Sequence, residues 1–190
     1  MRRIIPIIAI WLNSLALPAF SQSALIEAPI GHIQEWGTEK VLYEGNFDYS
    51  VKLIDMPNAG PDGPRSKAWF GLASLDDSKR FLVVFVNTPH GEGIKYGYEY
   101  IENGKTKYVK AVFNHVPLNM VISGTIELRK GGEIVFKAAG IEKTLSTNLS
   151  KAVLVMGATS STVEFFPEKS HEPNKQRNTD SGADAPPPVR

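Results

Sequence analysis

The sequence predicts an all-β fold, an antiparallel sandwich or barrel, and three observations carry this prediction. Short apolar runs rich in Val, Ile, Phe and Tyr follow one another closely between residues 40 and 166, which is typical of strands. The breaks between the runs carry Gly, Asn or Ser, which turns favour. Beyond the N-terminal apolar segment, no stretch has the apolar period of a helix. We therefore expect about ten or eleven short strands.

The first element is a segment that predicts export. Met1-Arg2-Arg3 is basic, residues 4–16 are almost wholly apolar, and Ala19-Phe20-Ser21 supplies the small residues of a cleavage site. This is the arrangement of a secretory signal peptide. We expect cleavage near Ser21–Gln22, a secreted or periplasmic location, and no membrane span in the mature protein.

Composition indicates how the domain is stabilised and which classes of partner it disfavours. The chain has no Cys, a formal net charge of +1 and 42% hydrophobic residues, so an exported domain must be held by its core alone. This charge balance favours neither nucleic acid nor an anionic membrane as a partner. We interpret 22–39 as a lead-in segment, 40–166 as the β-sandwich domain, and 167–190, which is rich in polar residues and Pro, as a disordered tail.

Two strands flank a long loop in the first half of the domain. Residues 47–54 alternate apolar and polar side chains, as a half-buried strand does. The stretch 55–66 contains three Pro and two Gly and is predicted to be an exposed loop. Residues 68–74 form the next strand. The run 81–86 is apolar throughout, which predicts a strand covered on both faces.

A second irregular loop, 87–93, leads into a predicted hairpin. Asn103-Gly104 is the dipeptide that a two-residue type I′ turn prefers. Folding about it pairs Tyr100 with Lys107 and Tyr98 with Val109, and continuing the register gives Tyr96–Ala111, Ile94–Phe113 and Glu99–Tyr108. Because the partners of the three tyrosines are mostly apolar, we interpret the tyrosines as core residues rather than an open binding face.

The stretch 118–166 contains the remaining predicted strands. A three-residue loop at 130–132 pairs Leu128 with Ile134 and Ile126 with Phe136, and it collects the charged residues on the other face. A two-residue loop mixes apolar and charged side chains on each face, so the three-residue loop is favoured. Further runs at 143–145, 152–156 and 162–166 complete the predicted set.

Motifs for catalysis and metal binding are weak. The chain has no Cys nucleophile and no Gly-x-Ser-x-Gly elbow. His32 and Glu35 have the spacing of a metal pair only on a helix, which the neighbouring glycines disfavour. Asp76-Asp77 is a possible calcium ligand pair, but such turn residues more often bond the local backbone. We therefore predict no cofactor and no metal.

The segments 47–53, 68–72, 121–128, 134–140, 152–156 and 162–166 resemble those of the concanavalin A-like jelly-roll sandwiches, a group that includes legume lectins, laminin G domains and laminarinase-like glucanases. The resemblance implies a two-sheet antiparallel β-sandwich. The acidic Glu-x-Asp-x-x-Glu strand of the glucanases has no match here, so no catalytic residue is carried over.

Two functional hypotheses follow, with a third left open. The first is an exported, non-catalytic module that binds a glycan or a cell-envelope polymer. The second is a hydrolase or lyase acting on such a polymer, with Glu99, Asp76 or Asp77 and His90 as acid and base. The third is a protein–protein interaction module. Because binding groups tend to lie on loops positioned by a sheet, the predicted ligand site borders the loops 55–66 and 87–93 and comprises Asp62, Arg65, Trp69, Asn87, His90, Glu92 and Tyr96.

Overall fold

The computed structural model describes residues 23–58, 65–88 and 93–167. These residues form ten strands: β1 (Ala24–Gly37), β2 (Gly45–Asp55), β3 (Lys67–Ser74), β4 (Lys79–Asn87), β5 (Ile94–Glu102), β6 (Lys105–Val116), β7 (Val121–Arg129), β8 (Glu133–Ala138), β9 (Ile141–Ser146) and β10 (Ala152–Pro167). Adjacent strands pair antiparallel throughout, which confirms the predicted fold class. The predicted signal peptide and the tail beyond residue 167 lie outside the described residues. Within the described ranges, no helix is long and apolar enough to cross a membrane.

The strands form one continuous sheet that folds into two layers at β10. The order is β6-β5-β4-β3-β10-β2-β7-β8-β9, with β1 beside β10. Residues 152–159 of β10 pair with β3, whereas 162–167 pair with β2. Ser160, at the switch, has a positive φ of 49°. We call β6-β5-β4-β3 with the first half of β10 the front sheet, and the second half of β10 with β2-β7-β8-β9 the back sheet.

β1 follows β10 across both layers. Residues 24–28 pair with the back half of β10 and residues 33–37 with its front half, with an irregularity between them. Gly31 lies in this irregularity at φ 80°, and its N–H donates to Ser160 Oγ at 2.9 Å. The segment interpreted as a lead-in therefore contributes a strand to the sheet. The runs predicted as two strands, 152–156 and 162–166, are two parts of β10.

The main core lies between the two layers. The Tyr49 ring of the back sheet lies 5.3 Å from the Phe70 ring of the front sheet. Phe136, also from the back sheet, is fully buried and contacts the rings of Phe81 and Tyr98 in the front sheet. Strands far apart in the hydrogen-bonded order thus face each other, which defines a β-sandwich.

The predicted β7–β8 hairpin is confirmed. Arg129 pairs with Glu133, Leu128 with Ile134, and Ile126 with Phe136. Gly131 and Gly132 supply the positive φ values of the turn, 85° and 80°.

The predicted β5–β6 register is wrong beyond the turn. Asn103 and Gly104 adopt the positive φ values of a type I′ turn, but Tyr100 pairs with Tyr108, Tyr98 with Lys110 and Tyr96 with Phe113. Glu99 lies opposite Val109 rather than Tyr108. The reason is a series of register shifts, each of which moves the pairing along the strand.

Candidate functional site

The outer face of the front sheet carries a second apolar cluster. Its buried members are Trp69, Ala73, Leu82, Val84 and Val155. The alternate residues of β4, including Phe81 and Val83, are buried in the main core, so the prediction that this strand is covered on both faces is confirmed. An outward face of a sheet normally meets water, so the question is what covers this cluster.

Trp69 lies at the centre of the outer face. Its pairing partners there are Gly157 on β10 and Val84 on β4. The indole lies against Gly157, where an added Cβ would come within 2.5 Å of Trp69 Cε2. The indole Nε1–H donates to Glu35 Oε2 at 2.8 Å. Glycine at 157 therefore makes room for the ring, and Glu35 fixes its orientation.

Two charged pairs surround the ring. Arg80 donates from Nη1 to Glu35 Oε2 at 2.7 Å and through two nitrogens to Asp77. These pairs raise the pKa of Arg80, with the Asp77 hydrogen bonds as the largest cause. Lys67 forms an ion pair with Glu99 and places its Nζ 6.0 Å from the centre of the Trp69 ring. We call Glu35, Lys67, Trp69, Arg80 and Glu99 the Trp69 platform.

Burial in the platform is graded from centre to rim. Trp69 is 7% exposed, whereas the side chains of Lys67, Arg80 and Glu35 are 28%, 24% and 29% exposed. Lys67, Arg80 and Glu35 thus cover the apolar cluster with their stems and present their polar ends to solvent, whereas the Glu99 side chain is only 10% exposed. The arrangement offers donors and acceptors held in fixed positions around an aromatic ring.

The described ends of the two loops predicted to border the site lie next to each other. Asn87 Nδ2 donates to the Met56 carbonyl at 2.6 Å, and Asn58 Nδ2 donates to the Thr88 carbonyl at 3.2 Å. Asn87 thus links the two loops. The backbone of Arg65, an exposed residue, forms an isolated antiparallel β-bridge with that of Asn58. The predicted ligand residues Asp62, His90 and Glu92 lie outside the described residues.

Tyr96 and Trp69 lie on opposite faces of the front sheet, so their rings do not form one groove. Tyr96 is 1% exposed and stacks between Phe85 and Phe113. Its hydroxyl lies 2.6 Å from that of Tyr49. Burial raises the pKa of Tyr96 to about 12. This placement agrees with the interpretation of the three tyrosines as core residues. The prediction of Tyr96 as a ligand residue does not fit it, because a buried ring offers no surface for a ligand.

The carboxylates considered for acid–base chemistry are all engaged. Glu99 is paired with Lys67 and Asp77 with Arg80. Asp76 accepts from Ser74 Oγ, Ser78 Oγ and the Ser78 backbone N–H, the local bonding expected of a turn aspartate. These bonds, that from Ser74 first, lower its pKa from 3.8 to about 2.

Metal binding finds no support in the parts of the chain that the structure describes. No group of three or more His, Cys, Asp and Glu side chains there is placed to hold an ion. His32 and Glu35 lie on strand β1 rather than on a helix. The Glu35 carboxylate bonds Trp69 and Arg80 instead.

The sequence does not reveal the platform as a set. Trp69 was predicted as a ligand residue and Glu99 as a candidate acid, but no role was predicted for Lys67 and Arg80. Glu35 and Arg80 are 45 positions apart, and their proximity follows from the strand order β1-β10-β3-β4. A usable signal was the glycine at each of 71 and 157 within otherwise apolar runs, which marks a close approach.

Comparison with known proteins supports the fold. No protein-family model matches the sequence, and no curated protein is recognisably similar to it. The carbohydrate-binding module CBM66 of Bacillus subtilis superposes with a TM-score of 0.53 at 9% identity, over 77% of this chain and 92% of that one. Xyloglucan PUL GH43B of Bacteroides ovatus gives 0.51 at 13% identity, over 70% of this chain and 29% of that one. The chain has a concanavalin A-like jelly-roll sandwich fold.

Proposed function

We propose that this protein is a non-catalytic module that binds a glycan on the Trp69 platform. The observation that carries the proposal is an outward-facing indole fixed between two charged pairs, Arg80–Glu35 and Lys67–Glu99. Carboxylate and guanidinium groups can bond adjacent sugar hydroxyls in pairs. The indole beneath them is 7% exposed and adds an apolar surface when the Lys67 ammonium moves aside.

The charged pairs preorganise the platform. Because each of Glu35 and Arg80 is held by two partners, binding does not have to order their side chains, which reduces the entropic cost. Each carboxylate and guanidinium group has several acceptor or donor positions, so a group bonded to one neighbour can still bind a hydroxyl. Movement of the Lys67 ammonium, which lies over the ring, would uncover more of the indole.

The choice of glycans among polyhydroxylated ligands rests on the fold. The Bacillus subtilis protein that shares the fold is named as a carbohydrate-binding module. Binding without catalysis is the better hypothesis because the platform carboxylates are paired with cations or the indole, which leaves neither as a ready general acid.

The test is affinity gel electrophoresis in xyloglucan, mixed-linkage β-glucan, galactan and soluble peptidoglycan fragments. We expect at least one of these polymers to retard the wild-type protein. Arg80→Ala should weaken that retardation by about tenfold or more, because it removes a charged hydrogen-bonding group worth about 1.5–3 kcal/mol.

Arg129→Ala is the matched control. Arg129 is likewise bonded to two carboxylates, Glu127 and Glu133, but it lies on the back sheet. Its loss should leave retardation unchanged. Equal retardation of the Arg80→Ala and wild-type proteins would place glycan binding elsewhere, and no retardation by any of the polymers would reject the proposed function.

We also propose that the protein acts outside the cytoplasm. The basic, apolar and small-residue segments of 1–21 support this. Intact-mass measurement of exported protein should give a chain that starts near Gln22, and retention of residues 1–21 would contradict the proposal.

A further inference from the structure

A cavity of about 530 Å³ opens on the back sheet, away from the platform. It lies where the β8–β9 hairpin stops short of the first residues of β7: β7 begins at Val121, but its pairing with β8 begins at Gly124. The β8–β9 turn consists of Ala139 and Gly140, both at positive φ, 48° and 78°. The hairpin turns immediately beyond the Ala138–Ile141 pair, so a notch remains beside the first residues of β7.

One cross-strand row of polar side chains lines this notch. Asp48 pairs with Thr125, Thr125 with Lys137, and Lys137 with Glu142, across β2, β7, β8 and β9. Paired residues of antiparallel strands project from the same face. The neighbouring Tyr49, Gly124 and Ala138 have the opposite parity, and Tyr49 and Ala138 belong to the main core. The row therefore faces outward from the back sheet. We call Asp48, Ser123, Thr125, Lys137 and Glu142 the back-sheet notch.

The notch alternates acceptors and donors. Thr125 Oγ1 donates to Asp48 Oδ1 at 2.6 Å, and Lys137 Nζ lies 3.6 Å from Glu142 Oε2. The Lys137 and Glu142 side chains are 46% and 59% exposed. An ion pair that is this exposed contributes little to stability, so its groups can exchange one partner for another at small cost.

Gly124, Ala138 and Ile141 supply the less polar part of the lining, whereas Tyr49 is 1% exposed and contributes almost no surface. Gly124 makes room for the Tyr49 ring on the inner side of the sheet, since an added Cβ would come within 2.7 Å of Tyr49 Cζ and 2.8 Å of the Lys137 carbonyl oxygen. The volume falls within the range of small-molecule sites, roughly 300–1,000 Å³. Size, mixed charge and hydroxyl groups together fit a single polyhydroxylated ring.

We propose that the back-sheet notch is a second carbohydrate site, one that takes a single sugar residue. The choice of ligand class rests on the proposed function, but the residues that bind are different. Asp48 and Glu142 accept from sugar hydroxyls, Lys137 donates to a hydroxyl or ring oxygen, and Ser123 completes the polar lining. Because the two sites lie on the outer faces of opposite sheets, one chain presents two carbohydrate sites that point away from each other.

The test is amide and indole NMR of the full-length protein during titration with D-glucose, D-galactose, D-xylose, N-acetyl-D-glucosamine and D-glucuronate. Sugar concentrations up to about 100 mM are needed, since a single-residue contact is expected to have a Kd of about 1 mM or weaker. We expect at least one sugar to shift the amide signals of residues 123–125 and 138–142. Absence of such shifts with all five sugars would overturn the proposal.

Two variants and a control complete the design. Asp48→Ala and Lys137→Ala should each weaken the response by about tenfold. Lys143→Ala removes an exposed lysine from the same hairpin, but Lys143 pairs with Phe136 and so has the opposite parity from Glu142. It should respond as the wild type does. Equal responses in all variants would place binding outside the notch.

The same spectra separate the two proposals. The Trp69 indole signal reports on the platform, and the 123–125 and 138–142 amides report on the notch. Indole shifts without notch shifts would overturn the second site alone. Shifts of the notch amides without indole shifts, together with no polymer retardation, would overturn glycan binding on the Trp69 platform and leave the proposal of the notch site standing.

Discussion

Trp69 shows how one residue acquires its surroundings from the whole sheet. Its indole donates a hydrogen bond to Glu35 on β1, more than thirty positions earlier in the chain. The same ring lies against Gly157 on β10, the last strand. The sequence placed Trp69 among the predicted ligand residues, and the structure holds its indole at 7% exposure, with the Lys67 ammonium over the ring. Its charged neighbours could not be predicted, because they meet only through the strand order.

The Asp76 turn predicts a measurable dependence of stability on pH. Hydrogen bonds from Ser74 and Ser78 lower the pKa of Asp76 from 3.8 to about 2. A carboxyl whose pKa is lowered by folding stabilises the folded state above its unfolded pKa, and this contribution is lost as the pH falls through the folded value. Thermal stability of the wild type should therefore fall between pH 3.8 and about 2.

Asp76→Asn should reduce this fall in thermal stability, because the variant has no proton to take up at this position. Ser74→Ala removes the donor with the largest effect on the Asp76 pKa, and it should reduce the fall in the same way. Thermal unfolding followed by circular dichroism across this pH range measures the slope. An unchanged slope in Asp76→Asn would show that the turn bonds do not contribute.

At the scale of elements, the two predicted hairpins differ in how well their sequences determine the register. In β7 and β8 the alternation of apolar and charged residues allows one pairing, since a slip of one residue exchanges the faces. β6 lacks strict alternation: Tyr108 and Val109 are adjacent, as are Val112 and Phe113. Each adjacent pair tolerates a shift, and the structure places bulges along this hairpin. The turn was therefore predictable, but the pairing beyond it was not.

The β7–β8 turn gives a paired test of glycine substitution. Gly131 and Gly132 have similar positive φ values, 85° and 80°. A Cβ at 131 meets nothing within 4 Å, whereas one at 132 comes within 2.6 Å of Asn148 Cα. Thr147 also donates from N and from Oγ1 to the Gly132 carbonyl. The turn is thus packed against the segment after β9 on one side and open on the other.

Gly131→Ala should lower the free energy of unfolding by about 1–2 kcal/mol, which is the backbone cost of a left-handed conformation. Gly132→Ala should lower the free energy of unfolding by about 1–3 kcal/mol more than Gly131→Ala does, because the segment at 147–149 must move to admit the methyl group. Urea denaturation measures both values. Equal losses would mean that the packing against Asn148 is unimportant for stability.

At the scale of the whole molecule, β10 explains why the architecture was predictable and the sites were not. Alternation and turn residues indicate strands and their inward faces. The glycine and serine positions near the middle of β10 do not reveal that this strand leaves one layer and enters the other. Both candidate sites depend on that switch, since it sets which faces of the sandwich point outward and in opposite directions.

The two sites together predict that a single chain can join two polysaccharide molecules. Sites on opposite outer faces cannot both engage one short oligosaccharide, but each can hold a different polymer chain. Monomeric wild-type protein, isolated by size-exclusion chromatography, should therefore raise the viscosity of a solution of whichever test polymer retards it. Arg80→Ala and Asp48→Ala each retain one site, so both should bind the polymer without raising its viscosity. An equimolar mixture of the two variants should behave like either alone, since neither molecule carries two sites. If either variant raised the viscosity as much as the wild type, the joining of polymer chains would have to come from self-association of the protein, and the arrangement of two sites on opposite faces would be wrong.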